Sequence, residues 1–139
     1  MKNTLVAAAM SLTLVPCAFA AGNAVFAPPG DLKWQDVPDA KGVQLAVVEG
    51  NPSKGASHFF LKFAPGFSAP LHHHSANHSG TVVSGTLVLT VDGQERKLPA
   101  GSYFAFTGKK PHTTRCEAGT DCVLSMDARG KWDVVPQKK

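Results

Sequence analysis

Long runs of any one kind are missing from this chain. No block of like charge interrupts its 139 residues, the formal net charge is only +4 and charged residues make up 17%, so there is no basic stripe of the sort that a nucleic-acid partner requires. Beyond the first twenty residues no segment sustains a helical period of apolar residues, and there is neither an internal repeat nor a low-complexity tract. A Ser-His-Asp order, a phosphate loop, a CxxC pair and a haem signature are all lacking. Triad hydrolysis, glycine-loop nucleotide binding and dithiol redox chemistry are therefore left without a motif. At this length, with 43% apolar residues, the chain suits one domain around one core.

The one sustained apolar segment, Thr4 to Val15, is too short to span a bilayer. Lys2 precedes it, and Ala18-Phe19-Ala20 supplies the small residues of a cleavage site. Residues 1–20 read as a bacterial-type secretory signal peptide, which makes the mature protein periplasmic or secreted, with no stable membrane anchor. An uncleaved anchor is the alternative, but no stop-transfer pattern follows. Losing Lys2 with the signal would lower the net charge from +4 to +3.

Cysteine is scarce, with three in all, and Cys17 would leave with the signal. Cys116 and Cys122 then form an even pair in an oxidising compartment, bracketing the turn-like stretch Glu117 to Asp121. A disulfide is the expectation, stabilising the fold by about 2 kcal/mol in the chain-entropy model. Two free thiols packed as small hydrophobes are the alternative.

Residues 21–32, rich in proline and glycine, read as an extended lead-in, and 33–135 as the folded domain. Strands are expected at Lys33–Val37, Val43–Glu49, Phe59–Phe63, Thr81–Val83, Thr86–Val91, Gln94–Leu98, Tyr103–Phe106, His112–Cys116 and Val123–Asp127. Asp92-Gly93 is a strong two-residue hairpin signal. About nine short strands at regular intervals point to an all-β sandwich or barrel.

What the sequence does concentrate is histidine. In GFSAPLHHHSANHSGTVVSG, Gly66 to Gly85, His72 and His74 share one face of a strand while His73 points the other way, towards solvent. A bend at Ser75-Ala76-Asn77 could return His78 beside them. His112 lies further on in KKPHTT. Imidazole is the commonest ligand for divalent first-row metals. A histidine-rich surface loop is the plainer reading of HHH taken alone.

The spacing Gly66, five residues, His72, one, His74, three, His78, six, Gly85 resembles the first motif of the cupin superfamily, G-x5-H-x-H-x3,4-E-x6-G, with His78 where the glutamate usually stands. The second motif, G-x5-P-x-G-x2-H-x3-N, is matched in identity only by Gly101 and His112. The resemblance implies a single-domain jelly-roll barrel, of the small monocupin type, with a metal held by His72, His74, His78 and His112. Four neutral nitrogens suit manganese, zinc, iron, nickel or copper, and leave the ion its full positive charge, which favours anionic or enolisable oxygen ligands.

Strand parity turns Thr114 and Cys116 inward with His112, and places Phe104 and Phe106 opposite Tyr103. Phe104, Phe106, Thr114 and Met126 are candidate pocket residues. No general base is obvious; Tyr103, Thr114 and His58 are the side chains that could assist. Trp34 and Trp132 are expected to cover barrel ends or a subunit contact. Two functions stay open: a metal-dependent dioxygenase, isomerase or cyclase acting on a small oxygen-rich molecule, and a non-catalytic periplasmic module that binds or senses a metal or ligand. A homodimer is expected by analogy alone.

Overall fold

The structure is a computed structural model, and it describes residues 22–138. The expected signal peptide, 1–20, lies outside the described residues. Two antiparallel sheets carry the fold, and among the described residues the only helical element is a 3-10 turn at Pro29–Asp31. The lead-in is exposed and extended up to that turn, as its prolines and glycines dictate. Lys62 then lies over the Trp34 ring, 4.2 Å from its centroid, where the folded part begins.

The first sheet has the order β1 (Gln35–Asp36), β2 (Val43–Gly50), β3 (Ser57–Phe63), β10 (Cys122–Ala128), β5 (His78–Ser84), β8 (Tyr103–Phe106). The second has the order β11 (Val135–Pro136), β4 (Ser68–His73), β9 (His112–Cys116), β6 (Thr86–Val91), β7 (Gln94–Pro99). The central pairings are β6 with β7, β5 with β8, β4 with β9 and β3 with β10. These are four hairpins nested one inside the next, and the chain switches sheets as it goes, which is jelly-roll topology. At their centre is the Asp92-Gly93 turn, with φ of 50° and 75°, the left-handed pair that a tight hairpin demands.

Alternation decides what lies between the sheets. In β3, Ser57, Phe59, Leu61 and Phe63 are buried, and in register with them stand Ala128, Met126, Leu124 and Cys122 of β10. With Val82, Leu87, Leu89 and Phe106 they form one core cluster. Cys116 and Cys122 are disulfide-bonded, their Cα atoms 5.7 Å apart, tying β9 to β10 across the two sheets. Gly85 turns the chain out of β5 at φ 75°, and a Cβ there would come within 2.5 Å of the Asp121 carbonyl beside this bridge.

Two expected strands were short of their full extent. The segment expected at Thr81–Val83 begins at His78, and the strand expected to carry both His72 and His74 is β4, which ends at His73 and leaves His74 just past it. The ladder between β4 and β9 shifts between Ala69 and His72, so Pro70 sits in a bulge that asks it for no ladder hydrogen bond.

Candidate metal centre

The bulge determines where the first two imidazoles point. Beyond it, His72 is directly opposite His112 in the register of β4 and β9, so both side chains rise from the same face of the second sheet. Their ring centroids are 4.4 Å apart. His74, just past the end of β4, returns to that side, 5.0 Å from His72 and 5.3 Å from His112. Nitrogens of His72, His74 and His112 all lie within 4.8 Å of one another. Histidine nitrogens sharing one zinc ion sit about 2.0–2.1 Å from it, and these three are near enough to one another to be candidates for such a set.

His78 comes from the opposite sheet, as the first residue of β5. Its ring is 4.7 Å from that of His74 but 6.3 Å from that of His112. The tight cluster is therefore of three histidines, with the fourth beside it, because His78 reaches across from a different sheet. The bend before it is fastened by Asn77, whose side-chain oxygen accepts from the Gly108 amide at 3.0 Å and whose carbonyl accepts from the Arg129 amide at 2.9 Å.

All four rings share one hydrogen-bond arrangement. Nδ1 of His72 meets the Pro70 carbonyl at 2.7 Å, that of His78 the Ala76 carbonyl at 3.1 Å, that of His112 the Lys110 carbonyl at 3.0 Å, and that of His74 the Asp133 carbonyl. A carbonyl can only accept, so Nδ1 carries the proton in each ring and Nε2 keeps a bare lone pair. The residues present fit a metal ion on this count: three clustered neutral donors with His78 beside them, and tautomers fixed from behind.

The surroundings keep them neutral. None of the four is more than 7% exposed. Trp132 stacks on His74 at 3.9 Å and 17°, and Phe106 stacks on His112 at 4.2 Å and 24°. Burial pushes the His74 pKa down to about 3 and that of His112 to about 4, and lowers those of His72 and His78; the carbonyl bonds oppose this and the neighbouring imidazoles reinforce it.

A cavity of about 430 Å³ is lined by Leu89, Val91, Leu98, Phe104 and Phe106, with Arg96 and Lys110 among its polar neighbours; none of the four histidines lines it, and Phe106 is what it shares with the cluster. Lys110 is paired with Asp92 at 2.7 Å. Of the expected pocket residues, Phe104 and Phe106 line this cavity whereas Thr114 and Met126 do not. Met126 belongs to the core beside Phe59, and Thr114 is buried opposite Leu89 and Ala69. Gly80 leaves room for this packing, since a Cβ there would lie 2.6 Å from the Phe104 ring and 2.7 Å from the Met126 sulfur.

Other expectations need correcting. His73 is half-buried rather than open to solvent, and its Nδ1 accepts from the Gln137 side-chain amide at 2.6 Å. Tyr103 is 67% exposed and His58 is bonded to Ser125 at 3.0 Å on the outer face, so neither serves the cluster. Trp132, expected at a barrel end or subunit contact, covers the histidine end and packs on the histidines themselves. Its lack of any motif spacing is why the sequence did not connect it with them.

Comparison with known proteins gives the family. Residues 59–127 match the Cupin_2 family, described as a cupin domain. The HTH-type transcriptional regulator PuuR of Escherichia coli (strain K12) is 33% identical over 62% of this chain and 48% of its own length. Quercetin 2,3-dioxygenase of Bacillus subtilis (strain 168) is 31% identical over 64% of this chain and 28% of its own. The chain thus spans less than half the length of these curated relatives. The polyketide cyclase RemF from Streptomyces resistomycificus superposes with a TM-score of 0.68 at 20% identity, over 79% of this chain and 82% of its own. That last likeness is one of fold.

Proposed function

We propose, from the premise that this chain is a small cupin with its Cupin_2 domain at residues 59–127, that it is an exported metal-dependent enzyme acting on a small oxygen-bearing molecule. One observation carries the reading: four buried imidazoles each spend Nδ1 on a main-chain carbonyl, and nitrogens of three of them, His72, His74 and His112, lie within 4.8 Å of one another. His72, His74 and His112 would hold the ion, with His78 closing in as the fourth ligand when it binds. A divalent metal there would supply Lewis-acid polarisation of a bound oxygen or a site for dioxygen. The chain's own part is to keep the ligands neutral, exclude bulk water with Trp132 and Phe106, and offer room for the substrate beyond Phe106. The lining of that cavity suits a carbon-rich body, as in a diketone or flavonol, better than a sugar acid.

Export rests on the N-terminal segment and agrees with the Cys116–Cys122 disulfide, which belongs in an oxidising compartment. A second reading is favoured by the match to PuuR, a transcriptional regulator: the same domain would bind or sense a ligand without turnover. Metal analysis of protein purified from its native compartment, followed by oxygen-uptake and turnover assays on diketones, flavonols, hydroxy acids and uronates, separates the two. Stoichiometric metal with turnover supports the enzyme. Full metal loading with no turnover across the panel supports the binding module.

A further inference from the structure

After β10 the chain doubles back over the histidine end, and this C-terminal strap touches each residue from Leu71 to Ser75. The Gln137 amide donates to the Leu71 carbonyl at 3.0 Å. Pro136 and Val135 stand in register with His72 and His73. The Asp133 carbonyl receives the His74 Nδ1 proton, and the Asp133 carboxylate accepts from the Ser75 amide at 2.7 Å. Trp132 is anchored by its own amide to the Pro52 carbonyl at 2.7 Å, lies flat on His74, and meets His78 edge-on at 5.0 Å.

This matters because β4 is poorly held on its other side. Its ladder to β9 is broken by the bulge between Ala69 and His72, just before the two histidines it supplies. His74 lies beyond the end of the strand, so no ladder bond fixes it. Its tautomer depends on a carbonyl 59 residues away in sequence.

We infer that Trp132 and Asp133 are positioning residues of the metal centre: the strap supplies the orientation and tautomer of His74, so part of the metal affinity resides outside the ligands. The inference rests on the reading of the histidines as a metal site. Partners of this kind, which orient a ligand without touching the ion, characteristically contribute ten- to hundredfold in affinity.

The test is zinc and manganese affinity of the full chain, by competition with a chromophoric chelator, for the parent and for Trp132→Ala, Trp132→Phe and Asp133→Ala. Circular dichroism and chelator-treated melts monitor folding. Trp132→Ala and Asp133→Ala should each bind about ten- to hundredfold more weakly, with Trp132→Phe recovering most of the loss because a ring still lies on His74. Asp133→Ala keeps the main-chain carbonyl but cuts the carboxylate tie to the Ser75 amide that holds this carbonyl against His74, so nitrogen NMR of the metal-free proteins should show His74 protonated at Nδ1 in the parent and mixed between tautomers in Asp133→Ala. If Trp132→Ala fails to fold, Trp132→Leu, which keeps bulk over His74 but no stacked ring, takes its place. Affinities for Trp132→Ala and Asp133→Ala both within threefold of the parent, with an unchanged His74 tautomer in each, overturn the inference and leave the metal site standing. A parent that takes up neither metal overturns both.

Discussion

Along β3 and β10 the inward row is Ser57, Phe59, Leu61 and Phe63 against Ala128, Met126, Leu124 and Cys122, whereas along β4 and β9 it is His72, His112, Thr114 and Cys116. Apart from Ser57, whose Oγ is buried without a partner among the described residues, the first row removes apolar surface from water and is favourable without any partner chemistry. The second buries imidazoles, which costs stability unless their polar atoms are met; Nδ1 of each is met by a main-chain carbonyl, and Nε2 makes no hydrogen bond among the described residues. One wall of the barrel therefore sustains the fold and the other uses it. The separation is sharp enough that changes on one wall should leave the other wall's property nearly intact.

Leu124→Ala attacks the apolar wall and should produce the largest loss, about 3 kcal/mol of unfolding free energy, read by denaturant titration, with zinc affinity of the folded protein unchanged within about threefold. A comparable loss of affinity would show the walls to be coupled. His112→Ala attacks the other wall: zinc affinity should fall at least about hundredfold, roughly 2.7 kcal/mol, while the chelator-treated melt moves far less than for Leu124→Ala. Equal metal retention by His112→Ala would remove the site.

The disulfide joins the two walls, and Cys116→Ser with Cys122→Ser should cost about 2 kcal/mol, measured against the parent under oxidising conditions and vanishing when both are reduced. The smallest effect concerns pH. Burial holds the His74 pKa at about 3, below its unfolded value of about 6.5. The unfolded chain takes up that proton first, so metal-free stability is complete above about pH 6.5 and declines as the pH falls towards 3. His74 alone should remove roughly 1 kcal/mol between pH 6 and pH 5, with His72, His78 and His112 acting in the same direction. A flat stability profile over that interval would contradict neutral burial.

Much of the apolar wall was legible in sequence because period-two alternation is a local signal: Phe59, Leu61 and Phe63 announce their shared face without reference to any other strand. The parity of His72 and His74 was legible for the same reason, and the pairing of Cys116 with Cys122 from number and spacing. Trp132 and Asp133 were not. What Asp133 offers His74 is a main-chain carbonyl, which every residue possesses, and what brings it there is a strap whose course depends on tertiary packing. The cavity failed similarly, since Leu89, Leu98 and Arg96 share no spacing with Phe106 and meet it only where the edges of two sheets approach.

The nested hairpins carry a kinetic consequence. Every shell is centred near Asp92-Gly93, so β6 with β7 can close first, and the shells outside it close over progressively longer loops. His72 and His112 face each other only once the third shell has zipped, forty residues apart in sequence, and His74 waits for the strap after the fourth. A metal ion thus meets its site at the end of folding rather than serving as its nucleus. Stopped-flow measurements should find refolding equally fast with chelator and with zinc, and unfolding slowed by zinc alone.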